Sequence, residues 1–189
     1  MKNRFLGRVL MAAALLAGTG IAGATTHDRT TGSRSDAEIA KSITHEIRMY
    51  PRYSIWDDVS FRVVNGQVDL LGVVNQPYKK ADIHRLVQRV EGVTSVTDEI
   101  KVLPLSPNDD RLRLRIARAI YGDPVMNRYA LNPLPTIHII VENGQVTLTG
   151  VVANQMDKNI AGIRASGAGL SFGPVINKLQ VEQKSEKKS

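Results

Sequence analysis

The 189-residue chain contains no cysteine, which excludes disulfides, thiolate zinc sites, a catalytic thiol and a lipid-modified N-terminal cysteine. Any attachment to a membrane would therefore be non-covalent. Histidine is scarce: His27, His45, His84 and His138 are scattered, and His45-Glu46 lacks the second histidine of a zinc helix. There is no Walker motif, and Ser166-Gly167 lacks the glycine spacing of a nucleophile elbow. The acidic doublets Asp57-Asp58 and Asp109-Asp110 read as turn or capping residues. No enzyme, cofactor or metal site is expected.

Long apolar runs are missing too. Val9 to Ala17 is shorter than the roughly 20 residues needed to span a bilayer. Behind Lys2, Arg4 and Arg8, and ahead of Ala22-Gly23-Ala24, it has the three-part layout of a secretory signal peptide. Cleavage after Ala24 and a periplasmic destination are expected, with an uncleaved anchor as the alternative. Gly18-Thr19-Gly20-Ile21-Ala22-Gly23 fits a dinucleotide-binding fingerprint, but the polar residues 25–35 that follow carry no helix signal and read as a flexible leader.

The formal charge of +7 needs the same pruning. Without the three N-terminal cations, 22 basic residues stand against 18 acidic ones, and Lys184, Glu186, Lys187 and Lys188 form a basic tail. The body is nearly balanced, which argues against a general nucleic-acid binder.

What the chain does have is an internal repeat. Residues 63–74, VVNGQVDLLGVV, recur 78 residues later as VENGQVTLTGVV, identical at nine of twelve positions. In the first copy, Asp36 is a candidate N-cap and Ile39, Ile43 and Ile47 share one helical face. Two strands flank Asn65-Gly66, a type I′ hairpin dipeptide, which predicts Val63 opposite Val68, Phe61 opposite Leu70 and Arg62 opposite Asp69. A helix from Pro77 with Ile83, Leu86, Val87 and Val90, and a strand from Val96 to Val102, complete an α-β-β-α-β order.

The second copy repeats it. Leu112, Ile116 and Ile120 replace the three isoleucines at an offset of 73, and a loop five residues longer widens the offset to 78. Its hairpin pairs Val141 with Val146 and Ile139 with Leu148, and a closing strand is expected over Val175 to Val181. Gly162, Gly167 and Gly169 predict a short or frayed second helix. The fold class expected is α+β, two tandem units, each a three-stranded mixed sheet packed on two helices. The expected divisions are signal peptide 1–24, leader 25–35, first unit 36–103, proline-containing linker 104–108, second unit 109–182 and basic tail 183–189. Pro104 and Pro107 predict a fixed mutual orientation.

The element order, both hairpin segments, Gly92-Val93-Thr94-Ser95-Val96 and Val175-Ile176-Asn177-Lys178-Leu179-Gln180-Val181 resemble the BON domain, named for bacterial OsmY and nodulation proteins. The resemblance covers 36–102 and 109–181. It implies a non-enzymatic, two-domain periplasmic protein of the OsmY type, with a tendency to bind phospholipid head groups or to act at the envelope under osmotic stress. Without the anchor cysteine of the lipoprotein branch, a soluble member that is not a lipoprotein is expected. In two-BON lipoproteins the lipid-contacting surface surrounds the first helix of the second domain.

The residues offer their own surface there. Arg111, Arg115 and Arg118 cluster within about 60° on that helix, at about 100° per residue, with Leu114 and Tyr121 beside them. Guanidinium forks suit phosphate, and the apolar tips suit the acyl boundary of an anionic bilayer. In the other reading, Leu114 and Tyr121 pack against the first copy and the arginines form a solvated rim. A second candidate is the loop holding Tyr50, Arg52, Tyr53 and Trp56, whose aromatics fit either an interaction surface for envelope proteins, in a chaperone-like role, or an inter-domain seam. His138, opposite Thr149, reads as an outward surface residue.

Overall fold

The structure is a computed structural model that describes residues 34–131, 135–169 and 173–183. The proposed signal peptide, most of the leader and most of the tail lie outside them.

Helix α1, Asp36–Met49, begins one residue earlier than the sequence suggests: Ser35 is the N-cap and forms a capping box with Glu38. Its Ile39, Ile43 and Ile47 are buried, each worth about 1.5–3 kcal/mol on full burial. Strands β1, Asp58–Val64, and β2, Gln67–Val74, pair antiparallel in the predicted register. Asn65 and Gly66 take the positive φ angles, 52° and 74°, that a type I′ turn demands. Helix α2, Pro77–Gln88, leads to β3, Ser95–Val102, which runs parallel to β2. The sheet order is β1-β2-β3.

The second unit repeats this with α3, Pro107–Tyr121, β4, Ile137–Glu142, β5, Gln145–Val152, and α4, Gln155–Gly167. The single expected closing strand is instead two short ones, β6, Ile176–Asn177, and β7, Gln180–Val181, both parallel to β5. Helix α4 is not frayed. Of the three glycines only Gly162 is interior, since Gly167 is the last helical residue and Gly169 lies beyond it. Asn154 caps the start by accepting from the Asp157 N–H at 2.9 Å, and Ala161 and Ala165 bury the inner face.

Each unit has its own apolar core, built on the three stripe residues of its first helix and the inward residues of its hairpin. The second core also takes in Ile55 and Trp56 from the first unit. Between the units little chain is free. Leu103 is buried and donates its N–H to the Val74 carbonyl, and Ser106 already caps α3, which leaves Pro104 and Leu105.

Candidate membrane-facing helix and the seam between the repeats

Helix α3 is fixed at both ends. Ser106 accepts from the Asp109 N–H at 3.2 Å, and Pro107 occupies the first turn, where a missing N–H costs nothing. The buried Asp109 carboxylate then accepts from the Asn143 and Gly144 N–H groups at 2.8 Å each, which locks the helix start to the hairpin turn. With Leu112, Ile116 and Ile120 facing the core, the opposite face is dictated by helical geometry.

That face carries Arg111, Arg115 and Arg118, all exposed. Arg111 donates to the Asn108 side-chain carbonyl, and the Arg115 guanidinium lies over Gly169, where a Cβ would come within 3.0 Å of it. Among the described residues neither Arg115 nor Arg118 has a carboxylate partner. Leu114 stands beside them, 49% exposed. Tyr121 does not continue the exposed stripe: it packs on the core of its own unit, and its hydroxyl donates to the Ile137 carbonyl at 2.7 Å. Burial pushes its phenol up from the ordinary value of 10.0. From the C-terminal end of α3 the long tyrosine side chain reaches the first residue of β4, a contact that the helical angle alone does not reveal. In the first unit the equivalent positions are Glu38, engaged in the capping box, Ser42 and His45. The basic face belongs to the second repeat.

Arg113 was not legible as a functional position. It sits at the margin of the apolar face, is buried, and donates to the Val141 carbonyl and to Asp110. Its signal was its helical angle, about 20° from that of Ile120 at the edge of the apolar stripe.

The aromatic loop of the first unit lies at the junction of the two. The Tyr50 hydroxyl donates to Asp82 at 2.6 Å, and the exposed Arg52 stacks over the Tyr78 ring, 5.1 Å from its centroid. The Tyr53 hydroxyl accepts from the Val59 N–H. Its ring meets His138 edge-on at 5.8 Å, and the Ile139 N–H donates to the Ile55 carbonyl at 2.7 Å. His138 does pair with Thr149. It is nevertheless no free surface residue, because the first unit's loop covers it. Burial lowers its pKa from the ordinary 6.5, outweighing the opposing pull of Asp58.

Two α-β-β-α-β units joined by this seam, with a cationic face on one helix, define a tandem-repeat α+β protein. The chain belongs to the BON domain family, whose pattern matches residues 35–104 and 108–183. That family is not a catalytic one and is known for phospholipid binding and envelope roles. No curated protein matched. Among solved structures, the chain is similar to CdsD, a structural protein of the type III secretion system of Chlamydia trachomatis, at 18% identity and a TM-score of 0.31 over 77% of this chain and 61% of that one. A structure of the CdsD C-terminal domain matches at 17% identity and a TM-score of 0.30, over 79% of this chain and 67% of that one. The chain thus spans about 61% of the length of the first of these.

Proposed function

We propose that this is a non-catalytic periplasmic envelope protein, exported through a cleavable signal peptide, that associates reversibly with anionic phospholipid head groups through α3 of its second repeat. The observation that carries this is the exposed face of Arg111, Arg115 and Arg118 with Leu114 beside them, Arg115 and Arg118 having no carboxylate partner among the described residues. The family's lipid-binding tendency points the same way. A cation near an anionic bilayer contributes about 1 kcal/mol, so three give about a hundredfold in binding, enough for peripheral but not permanent association.

Co-sedimentation with phosphatidylglycerol-containing vesicles at physiological salt tests it. The chain should pellet, and the variant with all three arginines changed to glutamate should stay in the supernatant. If neither pellets, the reading is wrong. A chaperone-like role through the aromatic loop has less support, because a client would have to displace Ile55 and Trp56 from the second core.

A further inference from the structure

The two helices of the second repeat form one layer on one face of its sheet: Leu112, Ile116 and Ile120 of α3 and Ala161 and Ala165 of α4 share a core with the inward residues of β4 and β5. They lie side by side. Arg164 of α4 donates to Asp123, just beyond α3, at 2.7 Å, and the Arg115 guanidinium reaches Gly169, just beyond α4. The first repeat meets this sheet elsewhere, at the β4 edge through Ile55 and on the opposite face at His138. The outer poles of α3 and α4 therefore point the same way, away from the sheet, on axes about 8–10 Å apart.

At about 100° per residue, Leu114, Arg118 and Arg111 stand about 140–160° from the buried Ile116 on α3. On α4, Met156 and Ile163 stand as far from the buried Ala161, about 20° from each other. Each is 69% exposed. The first repeat has no such face. Its equivalents of Met156 and Ile163 are Tyr78, which lies under Arg52, and Arg85, which pairs with Asp82. Cations on the first helix and apolar tips on the second thus occur together, on one side of one repeat. The carboxylates of α3, α4 and the described residues between them do not oppose an anionic surface freely: Asp109 is held by backbone N–H groups, and Asp110, Asp123 and Asp157 by arginines.

We propose that Met156 and Ile163 of α4 enter the acyl boundary of an anionic bilayer beside the head groups held by α3, so that the second repeat lies on the membrane by its helix layer and not by α3 alone. This rests on the head-group reading of α3 and adds to it the side chains that insert. A cationic face with apolar tips at the same level is the composition that seats a helix about 5–10 Å into the head-group and acyl boundary.

The absence of cysteine makes the test direct, because an introduced one is the only site a thiol reagent can label. Ile163→Cys carrying nitrobenzoxadiazole, a polarity-sensitive fluorophore, should shift its emission to the blue with phosphatidylglycerol-containing vesicles and be quenched by a spin label on the lipid acyl chain. Arg85→Cys, labelled at the equivalent place in the first repeat, should show neither effect. Without any label, the double variant Met156→Gln, Ile163→Asn should bind the same vesicles about tenfold more weakly than the unaltered chain. A chain that pellets with the vesicles while the label at position 163 stays unshifted overturns insertion and leaves the head-group reading standing. A chain that does not pellet overturns both. A blue shift that grows with protein concentration in the absence of vesicles gives this face to a second copy of the chain, and overturns the proposal as well.

Discussion

Asp36 and Asp109 hold the same place in the two repeats, and each carboxylate accepts two backbone N–H groups from the turn of its own hairpin. From sequence, Asp36 reads as a helix cap and Asp109 as a turn or capping residue. The local half of that reading is close, since each lies in the first turn of its helix. The bracing of a turn about 30 residues away depends on where the hairpin packs, which no local pattern encodes. Asp109 is buried whereas Asp36 is partly exposed. Asp109→Ala should therefore cost about 2–3 kcal/mol, as the loss of charge-assisted bonds to buried donors does, and Asp36→Ala about half of that. Urea denaturation of the two variants side by side checks the order.

A second pair of equivalent residues has opposite charges. Lys79 on α2 pairs with the buried Asp57 at 2.6 Å and also reaches Ser54. Its equivalent on α4, Asp157, accepts from Arg128 and Tyr129. Both networks tie the first turn of the second helix to the loop after the first helix. Exchanging the sign preserves the tie because a buried charge needs an opposite partner, whichever side supplies it.

Among the elements, both hairpins were legible to the residue, because side-chain alternation and an Asn-Gly turn leave a single register. At Gly72 and Gly150 the backbone has φ of 113° and 106°, and a Cβ would lie within 2.0 Å of the Asp58 and Thr136 carbonyl oxygens respectively. Only glycine fits there. The far end of the second unit was not legible. Asn177 reaches across to α4, donating to the Lys158 carbonyl at 2.7 Å, and its Oδ1 accepts the Leu179 N–H. This crossing interrupts the strand between β6 and β7, and Gly162 gives it room. Helix propensity favours alanine over glycine by about 1 kcal/mol. Gly167→Ala, with nothing within 4 Å of the new Cβ, should raise the melting temperature. Gly162→Ala should not, because its Cβ would lie 2.9 Å from Asn177 Nδ2 and displace that bond. Thermal melts of the two variants distinguish the cases.

For the whole molecule, the seam buries a histidine between the two repeats and so brings a pH dependence. The folded state lowers the His138 pKa below 6.5, so between the folded value and 6.5 the unfolded chain binds more protons and stability rises with pH. Acidification from about pH 7.5 to about pH 5 should lower the urea midpoint, and His138→Phe should flatten that slope. The carboxylates of Glu38, Asp82 and Asp123 are also held below their ordinary values, 4.5 for Glu38 and 3.8 for the aspartates. Their contribution is lost only as pH falls below those values. The His138 window is therefore separate, and a slope unchanged in His138→Phe would remove the histidine from the account.

The sequence by itself determined the repeat, the element order, the hairpin registers and the basic face of α3, because each follows from spacing along the chain and from steric limits at single residues. Only the tertiary structure decided that Tyr121 turns inward, that Arg113 is buried and that His138 lies under Tyr53. Those outcomes depend on which surfaces meet, and residues such as Ile55 and Ile139, 84 positions apart, are brought together by packing and by no local preference.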